Sequence, residues 1–209
     1  MQNPALVGGL GVRKSFIFIG MVIAGCFSVC GTSLAGEIRV GVKAHDIGIF
    51  GAGGLKGKEE SIAISGEYIF ESPEILSWAL KPKPFIGGTV NLEGETSFGG
   101  AGLLWRAGFF ENLYGELAFG AVIHDGTLEV PNPTLESTFE EILVLQEREL
   151  NEIEFGSRVL FRTALAIGYR FNDNWAADIV YEHLSHGNIL SSGSNEGLDN
   201  IGLRVSRRF

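Results

Sequence analysis

The stretch Val159-Leu-Phe-Arg-Thr-Ala-Leu-Ala-Ile-Gly-Tyr-Arg-Phe171 decides the fold, because its residues alternate between two chemical kinds. One set of alternate positions is large and apolar: Val159, Phe161, Leu165, Ile167, Tyr169 and Phe171. The positions between them are mostly small or basic: Arg162, Ala164, Ala166, Gly168 and Arg170. Since alternate residues of a strand point to opposite faces, the stretch predicts a strand with one apolar and one small-or-polar face.

Seven more segments of about ten residues repeat this alternation along the chain. They lie near residues 38–45, 62–70, 86–93, 102–109, 116–124, 175–182 and 200–209. Such segments are typical of outer-membrane proteins, whose apolar face contacts lipid. The sequence therefore predicts an all-β fold, an eight-stranded antiparallel transmembrane β-barrel of the outer-membrane type.

The second face of the strands indicates what fills the barrel. A soluble lipocalin-like barrel, the competing fold, would turn its apolar face inward around a ligand. Here the other face carries charges of both signs: Arg39, Lys43, Glu67, Glu93, Arg106, Glu116, Arg162, Arg170, Asp178, Glu182, Arg204 and Arg208. Because eight strands leave just enough room for side chains, these charges predict a paired polar network and no open channel.

The N-terminal residues have the features of a targeting segment. Two basic residues precede an apolar run, and Ser33-Leu34-Ala35 offers the small residues at which signal peptidase cleaves. We therefore expect residues 1–35 to be a cleaved signal peptide and residues 36–209 to form the barrel. The alternative is lipoprotein processing at the motif Ile23-Ala24-Gly25-Cys26, with lipid attached to its cysteine.

Composition argues against several classes of function. Cleavage after Ala35 would remove both cysteines, so the mature chain would have no disulfide and no Cys-rich zinc site. Two of the 16 basic residues would also be lost, whereas all 25 acidic residues would remain, and this negative charge argues against nucleic-acid binding. No Cys/His spacing or glycine-rich phosphate loop indicates a metal or a cofactor, and we expect neither.

The connections between the predicted strands differ in length. If both termini face the periplasm, Glu111-Asn112 and Asn172-Asp173-Asn174 are the short periplasmic turns that such barrels have. The long segment near residues 127–154 is then an outer loop, whose stretch Phe139–Leu150 could form a short helix on the barrel rim. Residues 72–84 are longer than a periplasmic turn should be.

Three polar side chains fall on the lipid-facing side of the last two strands. Odd positions of Trp175–Tyr181 are apolar, and the same count places His183, Ser185 and Asp199 on that face. Residues 186–196 connect the strands, so His183 and Asp199 can pair across an antiparallel ladder, within about 5.5 Å between Cβ atoms. A serine nucleophile, a histidine base and an acid that orients the base are the arrangement for ester hydrolysis.

Two alternatives stay open within the connection between these strands. Glu196 is the rival acid, because the loop could fold it back onto His183. Backbone N–H groups near His186 and Gly187 are candidate donors to an oxyanion.

The motif His-x-Ser, followed by a loop, Asn195-x-Gly-Leu-Asp199 and a last strand ending in Phe, resembles the outer-membrane lipid A 3-O-deacylases of the PagL type. The resemblance is close over the last thirty residues. It implies an eight-stranded barrel whose outer wall carries the active site, and which removes the ester-linked acyl chain at position 3 of lipid A without a metal. Carried over by motif, His183 is the base, Ser185 the nucleophile and Asp199 the acid. Asn195 would help to hold the oxyanion.

The chain departs from the family pattern at two places. The family usually has Asn directly after the serine, where this chain has His186, with Asn188 two positions further on. The acid is Asp199 here, whereas the best-known members have Glu. The candidate oxyanion and substrate residues are therefore Asn195, His186, Gly187 and Asn188.

Together these features predict a serine esterase of the bacterial outer membrane that hydrolyses the 3-O-linked acyl chain of lipid A. The active site would lie at the level of the outer leaflet. The expected partners are lipid A or lipopolysaccharide and outer-membrane lipids. Formation of a homodimer is a further possibility that the sequence does not decide. The alternatives are a phospholipid esterase at the same site, or a non-catalytic small barrel that serves as an adhesin or envelope-stabilising protein.

Overall fold

The computed structural model describes residues 36–48 and 57–209, so the predicted signal peptide and the lipoprotein motif lie outside the described residues. The strands are β1 (Gly36–His45), β2 (Ser61–Phe70), β3 (Lys83–Asn91), β4 (Phe98–Gly108), β5 (Leu113–His124), β6 (Val159–Arg170), β7 (Trp175–Ser185) and β8 (Leu198–Arg208). Each strand pairs antiparallel with the next, and β8 pairs with β1, so the sheet closes into a barrel. The predicted eight-stranded fold is confirmed. Within the described part of the chain, no helix is long and apolar enough to cross a membrane.

The two faces of the strands match the alternation in the sequence. In β1, Val40 and Val42 are exposed on the outside of the barrel, whereas Arg39 and Lys43 are buried inside it. Every backbone polar group of a strand can then pair with a neighbouring strand, and the apolar side chains face lipid. The bilayer thus completes the burial that a second layer of protein would supply in a soluble fold.

The barrel interior contains five carboxylates and five cations that form one network of ion pairs. They are Glu37, Glu67, Glu116, Asp178, Glu182, Arg39, Lys43, Arg106, Arg162 and Arg204. Arg39 donates two hydrogen bonds of 3.0 Å to Glu116, and Lys43 donates one of 2.7 Å to Glu182. Such burial is tolerated because each charge has a partner of opposite sign. Glu93, which the sequence placed inside, is instead exposed in the bend that follows β3.

At the end of the barrel where β1 begins and β8 ends, the connections are short with one exception. Residues 109–112 and 171–174 form the two short turns. Residues 71–82 are longer and contain a 3-10 helix, Glu74–Ala79. Trp105 on the outer wall donates through Nε1 to the carbonyl oxygen of Ala79 at 2.8 Å. The extra length of this segment therefore forms a small unit tied to the outside of β4.

The opposite end, which we call the loop end, carries the other four connections, and three of these are long. The one between β5 and β6 contains α1 (Phe139–Asn151), which confirms the predicted helix. Thr138 caps this helix, because its hydroxyl accepts from the backbone N–H of Glu141 while the Glu141 carboxylate accepts from the N–H of Thr138. The helix itself is amphipathic but contains no buried residue.

A buried carboxylate, Glu59, joins three connections over the barrel mouth. It accepts backbone N–H groups from Thr96 at 3.0 Å and from Ile153 at 3.1 Å. Burial alone would raise the pKa of Glu59, but the donors around it outweigh burial and lower that pKa. The His45 ring is also close, with its Nε2 3.6 Å from the carboxylate. Ionised Glu59 therefore holds the β1–β2, β3–β4 and β5–β6 connections together.

Candidate active site

The candidate residues come together where β7 and β8 reach the loop end. His183 and Asp199 are direct partners in the antiparallel ladder between these strands. His183 and Ser185 are two residues apart on the outward face of β7, as the alternation predicted. The hairpin register therefore brings all three side chains to one place on the lipid-facing wall.

These three side chains form a continuous hydrogen-bonded chain. His183 Nδ1 lies 2.7 Å from Asp199 Oδ1, and His183 Nε2 lies 3.1 Å from Ser185 Oγ. Asp199 is fully buried, whereas 31% of the His183 side chain is exposed. A carboxylate on one ring nitrogen and a hydroxyl on the other is the geometry in which an imidazole can accept the hydroxyl proton.

Tyr181 is a further member of this cluster that sequence reasoning missed. Its hydroxyl donates to Asp199 Oδ1 at 2.6 Å, the same oxygen that His183 contacts. In the sequence, Tyr181 reads as one more apolar residue on the outward face of β7. Its position two residues before His183 on the same face was the signal that could have identified it.

Gly197 belongs to the motif Asn195-x-Gly-Leu-Asp199, but the sequence assigned no role to it. It has a positive φ of 75°, which favours glycine. A Cβ atom at this position would lie 3.1 Å from His183 Cε1. The chain therefore passes directly against the imidazole ring, and only a residue without a side chain fits there without displacing a neighbour.

Glu196, the rival acid, is engaged elsewhere. Both of its carboxylate oxygens lie 2.7 Å from Lys58 Nζ, and one accepts the backbone N–H of Glu154 at 2.9 Å. These contacts link the β7–β8 connection to the β1–β2 and β5–β6 connections. The structure thus brings Asp199 to His183 and leaves Glu196 as a brace between loops.

The remaining candidates surround the start of the β7–β8 connection. Asn195 Oδ1 accepts the backbone N–H of His186 at 3.0 Å. The sequence suggested this N–H group as a donor to the oxyanion, but it is already engaged by Asn195. The His186 ring is buried, with Nε2 2.9 Å from the carbonyl oxygen of Ser194, and therefore supports the loop. Gly187 and Asn188 form an exposed turn with positive φ angles. Of these four residues, Asn195 lines the same cavity as Ser185.

Two cavities on the outer wall meet at Tyr181. The first, of about 510 Å³, is lined by Thr163, Tyr181, His183, Ser185, Asn195, Glu196 and Gly197. The second, of about 860 Å³, is a largely apolar groove whose lining includes Leu80, Trp105, Leu117, Leu165, Ile179, Tyr181 and Ile201. A polar site beside an apolar groove suits a molecule with a polar head and a hydrocarbon chain.

The chain forms a closed barrel with a polar interior and an apolar outer wall. These features define an outer-membrane β-barrel protein. The model of the PagL family, described as lipid A 3-O-deacylase, matches residues 85–208, more than half of the chain. The chain therefore belongs to the lipid A 3-O-deacylase (PagL) family. The matched range contains every candidate active-site residue.

Comparison with solved structures supports the fold. The crystal structure of the outer membrane enzyme PagL is 11% identical, with a TM-score of 0.53, over 83% of this chain and 99% of that chain. Neisserial surface protein A is 8% identical, with a TM-score of 0.50, over 83% of this chain and 97% of that chain. No curated protein sequence matches the chain. At these identities the likeness is one of fold.

Proposed function

We propose that the protein is an outer-membrane serine esterase that hydrolyses the ester-linked acyl chain at position 3 of lipid A. The observation that carries this proposal is the hydrogen-bonded chain from Asp199 through His183 to Ser185 on the lipid-facing wall. Membership of the lipid A 3-O-deacylase family supports the choice of substrate. Polar groups on a lipid-facing wall are costly, which favours a functional role for this cluster.

In the first half of the reaction, Ser185 Oγ attacks the ester carbonyl carbon while His183 Nε2 accepts the hydroxyl proton. Asp199 holds the other ring nitrogen and stabilises the imidazolium that forms. Collapse of the tetrahedral intermediate breaks the bond to the sugar oxygen. That oxygen takes the proton from His183 and leaves as the 3-hydroxyl, and the acyl group stays on Ser185.

In the second half, water attacks the acyl-enzyme and His183 accepts a proton from the water. Collapse returns that proton to Ser185 and releases the fatty acid. Both tetrahedral intermediates carry a negative oxygen that needs a donor. Asn195 is our candidate, because its amide oxygen accepts from His186 and its NH2 group remains for the oxyanion.

The position of the site suits a lipid substrate. With both termini on the periplasmic side, the loop end and its active site reach the outer leaflet. Lipid A would then enter sideways, and the apolar groove beside Tyr181 would accept part of the acyl chain. No route through the barrel is needed, because Ser185 faces the membrane and not the interior.

The test compares lipid A from cells that express the full chain with lipid A from cells that express Ser185→Ala. We expect residues 1–35 to be removed on export, and N-terminal sequencing of the barrel checks this. Mass spectrometry should show loss of one 3-O-linked acyl chain with the wild type alone. The variant loses only one oxygen atom, so the barrel should still fold.

Two controls make the result decisive. Heat-modifiable mobility in membrane fractions shows that both proteins are folded barrels, and phospholipid profiling shows whether another ester is cut. Unchanged lipid A with free fatty acid from phospholipid would move the substrate to phospholipids. Unchanged lipids with both folded proteins would refute the esterase and favour the non-catalytic barrel.

A further inference from the structure

Tyr181 contacts the acid of the proposed active site through its hydroxyl group. It lies on β7, two residues before His183 on the same outward face, and its ladder partner is Ile201 on β8. From there its hydroxyl donates to Asp199 Oδ1 at 2.6 Å. His183 Nδ1 lies 2.7 Å from the same oxygen. One carboxylate oxygen is therefore shared by a phenol and an imidazole.

This shared oxygen belongs to a carboxylate that is completely shielded from solvent. Asp199 has no exposed surface, and the face on which it lies contacts lipid. An ionised carboxyl group in such a place is unfavourable unless donors stabilise its charge. Hydrogen bonds to a charged group are the strongest of their kind, so the short contact from Tyr181 is a substantial part of that stabilisation.

The ionised state of Asp199 matters for the proposed reaction. The carboxylate must stay negative while His183 takes the proton of Ser185, because its charge stabilises the imidazolium. A poorly stabilised carboxyl group would instead take up a proton from solution and become neutral, and a neutral acid would no longer stabilise the imidazolium that His183 must form. It would also be free to rotate, and the orientation of the His183 ring depends on it.

We propose that Tyr181 is a positioning residue that holds Asp199 ionised and oriented toward His183. This inference rests on the proposed esterase function and extends it to a residue outside the triad. Throughout the reaction the phenol keeps its proton and donates it to Oδ1. Proton transfer takes place only between Ser185, His183 Nε2 and the leaving oxygen or water.

The experiment compares Tyr181→Phe with Tyr169→Phe in the full chain. Phenylalanine keeps the ring and removes the donor. Tyr169 is the matched control, because it is another outward-facing tyrosine, on β6, and its ring packs on Phe171. Each protein is purified in detergent, scored for folded barrel by heat-modifiable mobility, and assayed with purified lipopolysaccharide.

We expect Tyr181→Phe to lower kcat roughly tenfold with little change in KM, since it removes one hydrogen bond to a charged group and keeps the ring that lines the two cavities. Tyr169→Phe should match the wild type. A structural role alone would reduce the folded fraction and leave the kcat of the folded barrel unchanged.

A spectroscopic readout tests the mechanism without turnover. The chain has four histidines, so selective ¹⁵N labelling of histidine gives few ring N–H signals. The Nδ1–H signal of His183, assigned with Asp199→Ala, should move in Tyr181→Phe because its acceptor is no longer shared. It should stay in place in Tyr169→Phe.

The outcomes separate failure of the role of Tyr181 from failure of the esterase proposal. An unchanged kcat, or an unmoved Nδ1–H signal, in folded Tyr181→Phe overturns the role of Tyr181. If the wild type deacylates and Ser185→Ala does not, the esterase proposal stands whatever Tyr181→Phe does. If the wild type neither deacylates nor reacts at Ser185 with a fluorophosphonate, both proposals fail.

Discussion

Gly197→Ala tests how closely the loop fits against the proposed base. The added Cβ atom would lie 3.1 Å from His183 Cε1 and 3.2 Å from the carbonyl oxygen of Leu184. Ordinary contacts of this kind begin at 3.4 Å. The imidazole ring must therefore move by about 0.3 Å. This movement would disturb the hydrogen bond between His183 Nε2 and Ser185 Oγ, which are 3.1 Å apart.

The size of the effect follows from the cost of misplacing a catalytic group. A displacement of about 1 Å can cost roughly 10²-fold in rate, so about 0.3 Å predicts a loss of roughly fourfold in kcat. The left-handed backbone at Gly197 adds a separate cost of about 1–2 kcal/mol in folding stability. That second cost lowers the amount of folded barrel and not its turnover.

Gly94→Ala separates the two effects. Gly94 also has a positive φ, of 88°, but a Cβ atom there would meet nothing within 4 Å. Deacylation of lipopolysaccharide is measured per folded barrel, together with the rate at which a fluorophosphonate labels Ser185. Both rates should fall in Gly197→Ala and stay at the wild-type level in Gly94→Ala. Equal rates in all three proteins, or an equal loss in both variants, would refute the steric reasoning.

Two more predictions concern the carboxylates near the site. Asp199→Asn should lower the rate of deacylation, measured as fatty acid release, by about 10³- to 10⁴-fold. Glu196→Gln should stay within about tenfold of the wild type. A larger loss in Glu196→Gln than in Asp199→Asn would make Glu196 the acid. The pKa of Glu59 is lower in the folded chain than in the unfolded chain. The stabilisation that ionised Glu59 gives to the fold is therefore complete above the ordinary glutamate pKa of about 4.3, and it is lost as the pH falls below that value. Hydrogen-exchange protection of the Thr96 and Ile153 amides should therefore fall below about pH 4, and Glu59→Gln should remove that pH dependence. Protection that falls in the same way in the variant would show that another group titrates.

Much of the barrel could be predicted because a strand carries its own pattern. Alternation in Val159–Phe171 is a local property, and the same period recurs at all eight strands. The pairing of β7 with β8 could be predicted as well. His183 and Asp199 are about equally far along the chain from the centre of the loop between these strands, and they are partners in the ladder. Glu93 was misplaced because the alternation does not mark where β3 ends.

The sequence by itself determined the strand pattern, the lipid-facing parity and the residues that this parity brings together. Only the tertiary structure decided which acid faces His183, because Lys58 and the backbone of Glu154 come from distant connections and hold Glu196. The same holds for the hydroxyl of Tyr181, whose hydrogen bond depends on how two neighbouring strands tilt their side chains. Periodicity assigns a side chain to a face, but it does not encode the long-range contacts that fix the path of a loop or the partner of a polar atom.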